Sequence, residues 1–278
     1  MSLAASFLSA IDWSRPWLVH VRALGEEIAA APDWRHALNE RAAGQALCNC
    51  AGRPIRFVPQ SALPAGVAYE AFIHETGGVP TRDNLHDFFN ALVWLTFPRI
   101  KVQLNALQAA EIAKAGSLRA DTSVAAALGT SALRGKLRDA ATIFDENAAL
   151  LITTDSHLVA ALRVHAWQEA FIERREVFMR HGQVLLFGHA LMEKLVQPYK
   201  AITAHTWVVE LDAADLGLST PQQCRLVDEA VEAQLQRQGG LTTADFFPLP
   251  VLGVPGWWKP QDQAFYADTQ VFRPLRRR

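Results

Sequence analysis

The stretch from residue 84 to residue 97 constrains the fold of this chain more than any other part of it. At about 100° per residue, its apolar side chains cover well over half of a helix's circumference; these are Leu85, Phe88, Phe89, Leu92, Val93 and Leu95. Asn84 suits the N-cap, Asp87 three residues later suits a short capping box, and Pro98 ends the helix. The sequence therefore predicts a helix that is buried on most of its surface.

The remaining sector of this helix carries short polar groups instead of a solvated face. It holds His86, Asp87, Asn90 and Trp94, and it lacks the Lys, Glu and Gln that usually face water. An unpaired buried polar atom costs about 1–3 kcal/mol, so these groups need partners. The sector is expected to face either an internal hydrogen-bond network or a pocket. Within a network, Asn90 is placed to hold the tautomer of His86.

Composition excludes several classes of protein. Of 278 residues, 50% are hydrophobic and 20% are charged, which excludes disorder and a coiled-coil rod. The net charge of −1 provides no basic field for nucleic acid, so a nucleic-acid partner is not expected. No apolar run approaches the roughly 20 residues that cross a bilayer, and the N-terminus is a poor secretory signal. Three cysteines, an odd number, indicate reduced thiols and a cytoplasmic protein.

The pattern along the chain predicts a helix-dominated α+β fold with one small sheet. Strands are predicted at residues 53–58, 148–153, 183–187 and 206–211, and a turn at 77–80. Helices are predicted within residues 1–50 and at 84–97, 98–115, 122–140, 158–180, 189–197 and from 220 to Gly239. No linker is visible, so residues 1–278 are predicted to form a single domain. The Pro- and aromatic-rich residues 245–278 are expected to form an extended C-terminal tail over the body.

Two further segments place chemistry-bearing groups beside apolar structure. Asp145 and Glu146 precede the strand at 148–153, where they either bind a cation or orient water, or simply form a turn. His189 follows a strand directly, and Glu193 is one helical turn along. That second pair is either part of a site at a strand-to-helix edge or an exposed ion pair.

Several other residues complete the list of candidates. Arg82, Lys101 and Arg138 are candidates for holding an anionic substrate group. The further substrate-binding candidates are His74, Asp83, Asn90, Asn105 and Glu193. The sequence contains no phosphate-binding Walker loop, no dinucleotide fingerprint, no G-x-S-x-G elbow and no H-E-x-x-H zinc motif.

Residues 76–90 and 94–99 together resemble the signature of a bacterial family, the domain of unknown function 3025. Residues 104–108, 137–139, 144–147 and 187–194 are similar to that family as well. The resemblance is clearest over residues 68–210. It implies a bacterial origin, and it implies no particular activity, because the family has no established one.

Two hypotheses of function remain open at this point. In the first, the chain is a hydrolase that acts on a small molecule. His86 is its general base or a metal ligand, Asp87 or Asp83 orients His86, and Asp145, Glu146 and His189 complete the catalytic set. The cofactor is unassigned, with a divalent metal as one candidate.

In the second hypothesis, the protein is a non-catalytic binding or scaffold protein in which the same groups form a structural network, and Trp257 and Trp258 supply a partner surface. The first hypothesis requires the site residues to converge on one pocket. The oligomeric state is not predicted.

Overall fold

The computed structural model describes residues 7–120, 130–211 and 218–275, with side chains omitted at residues 116–120 and 130–134. Helices dominate the described part of the chain. Their bounds are α1 Arg22–Ala30, α2 Trp34–Gly44, α3 Tyr69–Thr76, α4 Leu85–Thr96, α5 Pro98–Ala120, α6 Thr130–Asn147, α7 Ser156–Arg163, α8 Arg175–His181, α9 His189–Lys194, α10 Thr220–Gln238 and α11 Gln263–Tyr266. The predicted helix-dominated α+β class is confirmed.

The strands form two sheets in the described residues, whereas the sequence predicted one. β1 (Arg56–Pro59) pairs in parallel with β2 (Gly78–Thr81). A four-stranded sheet has the order β4-β3-β5-β6, and its strands are β3 (Ala148–Thr153), β4 (Gly182–Leu186), β5 (Thr203–Val209) and β6 (Phe247–Pro250). Every residue of β3 is buried, because β3 pairs antiparallel with β4 on one side and parallel with β5 on the other.

Helix α4 begins where its capping residues predict. The Asn84 side chain accepts a hydrogen bond from the backbone N–H of Asp87 at 2.8 Å, so Asn84 is the N-cap. Only half of the predicted capping box forms, because the Asp87 carboxylate accepts from the backbone N–H of Arg82 instead. Residues 87–95 are all buried, in agreement with the apolar circumference.

Helix α5 follows α4 at Pro98, and α10 supplies its N-terminal cap. The carboxylate of Asp228 in α10 accepts from the backbone N–H of Arg99 at 3.0 Å and of Ile100 at 2.9 Å. These two donors have no partner within their own helix. A side chain that is distant in sequence therefore takes the place of a local N-cap.

Three other predictions need correction. The predicted turn at 77–80 is strand β2, with Gly77 alone in the left-handed region at φ 74°. The helix predicted at 122–140 is helical over its described residues 130–140 and continues to Asn147 as α6, and residues 121–129 lie outside the described residues. The extended tail is not confirmed, since residues 247–250 form a sheet strand and Phe265, Tyr266 and Phe272 are buried in the core. Trp257 and Trp258 are half-buried against that core.

None of the described helices combines the length and the hydropathy that crossing a bilayer requires.

Candidate metal site

The pairing of β3 with β4 brings two predicted site segments together. Ala149 lies opposite Leu186, so the residues that precede β3 lie beside those that follow β4. The N–H groups of Phe187 and Gly188 both donate to the carbonyl of Ala148, at 3.0 and 2.9 Å. A Cβ atom at Gly188 would lie 2.5 Å from the backbone nitrogen of Asn147, so only glycine permits this approach.

Helix α4 packs against α9 and adds the third segment. Nε2 of His86 lies 3.1 Å from Nε2 of His189, with the two rings almost perpendicular at 78°. The Glu146 carboxylate is 3.6 Å from Nε2 of His189. One ligand atom from each of these three residues lies within 4.8 Å of the others.

Two of the three separations within this cluster match those of ligands around one ion. Nitrogen and oxygen ligands lie about 2.0–2.2 Å from a tetrahedral zinc ion, which places neighbouring ligand atoms roughly 3.3–3.5 Å apart. The two observed separations, 3.1 and 3.6 Å, bracket that value. Two imidazoles and a carboxylate also suit other first-row divalent metals. The donor set therefore fits a divalent transition metal with open coordination positions.

Glu193 orients the His86 ring. Nδ1 of His86 donates to Oε2 of Glu193 at 3.0 Å, because an ionised carboxylate can only accept. This contact fixes the hydrogen on Nδ1 and leaves the lone pair of Nε2 directed at His189. The orienting carboxylate is thus Glu193, where the sequence predicted Asp87 or Asp83. Glu193 therefore pairs with His86, where the sequence predicted a pair with His189. The tautomer of His86 is held by Glu193 as well, where the sequence predicted Asn90.

His189 is buried, and its surroundings keep it neutral. Burial lowers the pKa of His189 to about 4, although the charge of Asp145 opposes this shift. Its Nδ1 is buried without a hydrogen-bond partner, and Oδ2 of Asp145 is 3.9 Å away. A neutral imidazole is the form that binds metal. His189 is therefore in its ligand form at neutral pH.

Asp145 belongs to a buried ion pair behind the histidines. Nζ of Lys101 donates to Oδ1 of Asp145 at 2.5 Å and to Oδ1 of Asn90 at 2.8 Å, and it lies 5.1 Å from the centre of the Trp94 ring. Burial, the largest single effect, would raise the pKa of Asp145, but the charge and hydrogen bond of Lys101 together with the two histidines hold this pKa below its usual value. Lys101 is thus occupied within the protein, which corrects its predicted role in holding a substrate anion.

Arg82 is also occupied. Its Nε and Nη2 atoms donate to the two carboxylate oxygens of Asp87, at 2.9 and 3.0 Å. Arg82 keeps 57% of its side-chain exposure, whereas Asp87 keeps 8%. The pair places a neutralised guanidinium at the rim of the site.

A cavity of about 320 Å³ opens beside the cluster. All five predicted catalytic residues line it, namely His86, Asp87, Asp145, Glu146 and His189. Arg82 and Asn90 line it as well. The sequence missed Tyr69 and Glu70, which also line the cavity, because the first turn of α3 has no pattern that marks it. Burial raises the pKa of Glu70, and the charge of Asp145 raises it further.

Six predicted substrate-binding residues do not line the cavity, and two of them, Lys101 and Glu193, hold Asp145 and His86 as described above. Asp83 pairs with Arg35 at 2.8 Å, and His74 contacts the sulfur of Cys50 at 3.4 Å. Asn105 lies behind Glu70 and donates to its carboxylate at 2.6 Å. Arg138 is exposed on α6.

The fold and the cluster define a helix-dominated α+β protein with a candidate metal site between α4, α9 and the end of α6. The profile of a family described as protein of unknown function DUF3025 matches residues 55–276, well over half of the chain. The chain belongs to this family. It matches no curated protein and no solved structure.

Proposed function

We propose that this protein is a metal-dependent hydrolase whose metal is held by His86, His189 and Glu146. The single observation that carries the proposal is that two imidazole Nε2 atoms and a carboxylate converge at ligand spacing beside an open cavity. A divalent ion at this position would polarise a substrate oxygen and lower the pKa of water bound to it. The remaining coordination positions would face the cavity.

The surrounding residues support a metal rather than a bare hydrogen-bond network. Glu193 holds His86 in the tautomer whose free lone pair points into the cluster, an arrangement typical of metal-ligating histidines. The rival scaffold hypothesis accounts for the Lys101–Asp145 pair and for the contact between the two histidines, but it gives no reason for the cavity that opens beside them.

Hydrolysis of simple chromogenic substrates tests this proposal. The purified protein, stripped with a chelator and reloaded with zinc, manganese or cobalt, would be assayed with p-nitrophenyl acetate and p-nitrophenyl phosphate. We expect hydrolysis of at least one substrate that depends on the added metal and disappears in His189→Ala. His36→Ala is the matched control, because His36 is a surface residue of α2 with 70% of its side chain exposed. Equal rates for His189→Ala and the unsubstituted protein would contradict the proposal.

A further inference from the structure

The direction of one hydrogen-bond chain beside the site is fixed by chemistry. Lys101 can only donate, so the Asn90 atom that faces it at 2.8 Å must be the carbonyl oxygen Oδ1. The Asn90 amide nitrogen then points the other way and donates to the hydroxyl oxygen of Tyr69 at 3.0 Å. The buried pair of Lys101 with Asp145 anchors the start of this chain.

The Tyr69 hydroxyl at the end of the chain therefore has a hydrogen left to give. Its oxygen accepts from Asn90, so its own O–H must donate to something else. Tyr69 lines the cavity that opens beside His86, Glu146 and His189. Burial is the main cause of a raised pKa for Tyr69, so the phenol stays protonated at neutral pH. The structure thus places at the cavity wall a neutral phenol whose hydrogen is free to be donated.

The charges around the cavity indicate what such a donor would bind. The one arginine among the described residues that line it, Arg82, is already neutralised by Asp87. Glu70 and Glu146 add carboxylates to the same wall. Apart from the proposed metal, a phosphate or carboxylate substrate would find no unpaired cation on this wall and would face its carboxylates, whereas a neutral carbonyl group needs only a hydrogen-bond donor and the metal as a Lewis acid.

We infer that the site takes a neutral acyl compound, an ester or amide, and that Tyr69 donates the hydrogen bond that holds its carbonyl oxygen. Asn90 and Lys101 are positioning residues that turn the phenol hydrogen towards the cavity. In the hydrolysis, the oxygen of water bonds to the carbonyl carbon and the bond from that carbon to the leaving group breaks. One proton of the water passes to the leaving oxygen or nitrogen, and the other leaves the new carboxylic acid in solution. This inference rests on the proposed hydrolase function.

Binding of acetohydroxamate to the cobalt-loaded protein tests the inference without requiring turnover. This probe carries a carbonyl group, is uncharged in neutral solution and chelates metal as its hydroxamate anion, and cobalt absorption in the visible range reports its binding. We expect Tyr69→Phe to weaken acetohydroxamate about tenfold, the value of one lost hydrogen bond, while cobalt affinity stays within about twofold. Tyr199→Phe is the matched control, because Tyr199 is 56% exposed. We also expect inorganic phosphate to bind more weakly than acetohydroxamate.

A second variant tests the direction of the chain while keeping the phenol. Asn90→Asp puts two acceptor oxygens beside Lys101 and Tyr69, so the phenol hydrogen should turn away from the cavity to the new carboxylate. Acetohydroxamate should again weaken about tenfold. Unchanged acetohydroxamate binding in either folded variant, or tighter binding of phosphate than of acetohydroxamate, would overturn the inference. Failure of the unsubstituted protein to bind cobalt would instead overturn the proposed function, and the inference with it.

Discussion

Nε2 of His86 and Nε2 of His189 lie 3.1 Å apart, although 103 positions separate these residues in the chain. His86 lies in the first turn of α4 and His189 begins α9, so their contact depends on the packing of the two helices. Glu146 completes the cluster from the end of α6. The central claim is that this cluster binds a divalent metal and that the adjoining cavity admits a substrate.

Removal of Glu193 should weaken metal binding without breaking the fold. Glu193→Ala leaves the Nδ1 atom of His86 without its carboxylate acceptor, so the ring loses its orientation and some basicity. We expect zinc affinity to fall about 10–100-fold, measured by competition with a chromophoric chelator. Glu176→Ala is the control, because Glu176 is 87% exposed in α8. An affinity within twofold of the unsubstituted protein would show that Glu193 does not support a metal ligand.

A methyl group at Gly188 should separate the two halves of the site. It would lie 2.5 Å from the carbonyl oxygen of Glu146 and equally close to the backbone nitrogen of Asn147. We expect Gly188→Ala to lower the free energy of unfolding by about 3 kcal/mol, measured in urea, and to abolish zinc binding.

Gly44→Ala provides the matched control for this backbone effect. Gly44 lies at the end of α2 with open space around it, so an added methyl meets nothing there. Its stability should stay constant or rise by up to about 1 kcal/mol. Retention of zinc by a stable Gly188→Ala protein would contradict the close approach of these two segments.

Loss of Lys101 should destabilise the protein strongly. Lys101→Met removes the ammonium group and leaves the buried carboxylate of Asp145 without its cation. We expect the free energy of unfolding in urea to fall by about 3–5 kcal/mol, and the double variant Lys101→Met with Asp145→Asn to recover part of this loss. Arg237→Met breaks an exposed pair with Glu210 and should cost no more than about 1 kcal/mol. Equal losses for Lys101→Met and Arg237→Met would refute a buried, obligatory pair.

Asp228 should make stability fall as pH rises. Burial raises the pKa of Asp228 from 3.8 to about 7, although the two backbone N–H groups that donate to it at the start of α5 lower this pKa. Between these values the folded state binds more protons than the unfolded state, so the stability contributed by protonated Asp228 is complete below about pH 4 and is lost as pH approaches and passes 7. The slope is at most about 1.4 kcal/mol per pH unit.

Urea unfolding of the unsubstituted protein and of Asp228→Asn from pH 5 to pH 8 measures this effect. Asp228→Asn cannot titrate, so the stability of the unsubstituted protein minus that of the variant should decline with rising pH. The constant cost of losing one backbone contact does not alter this slope. A level difference would mean that Asp228 is ionised in the folded state throughout the range, and a difference that grows with pH would likewise contradict its raised pKa.

Structural features that depend on residues close together in the sequence could be predicted from it. The N-cap of α4 depends on residues three positions apart, and the buried strand β3 is apolar throughout, so both could be located from the residues alone. Strand β2 was missed because its Gly-Val-Pro-Thr sequence resembles a turn, and only pairing with β1 makes it a strand. Sheet pairing of this kind depends on distant residues.

The candidate site was predictable as a set of residues but not as a set of contacts. His86, Asp145, Glu146 and His189 stand out because short polar groups adjoin apolar segments. The partners of these residues do not stand out in the sequence, because Glu193 is 107 positions from His86 and Lys101 is 44 positions from Asp145. Only the packed structure shows which carboxylate orients which histidine. The catalytic and substrate-binding roles of these residues remain predictions.

Metal content of the purified protein tests the central claim most directly. Elemental analysis after expression with zinc supplementation and extensive dialysis should find about one divalent ion per chain. The His189→Ala protein, folded by circular dichroism, should hold less than about a tenth of an ion, and His36→Ala should retain the full amount. An unsubstituted protein without bound metal, or equal metal content in His189→Ala, would contradict the account.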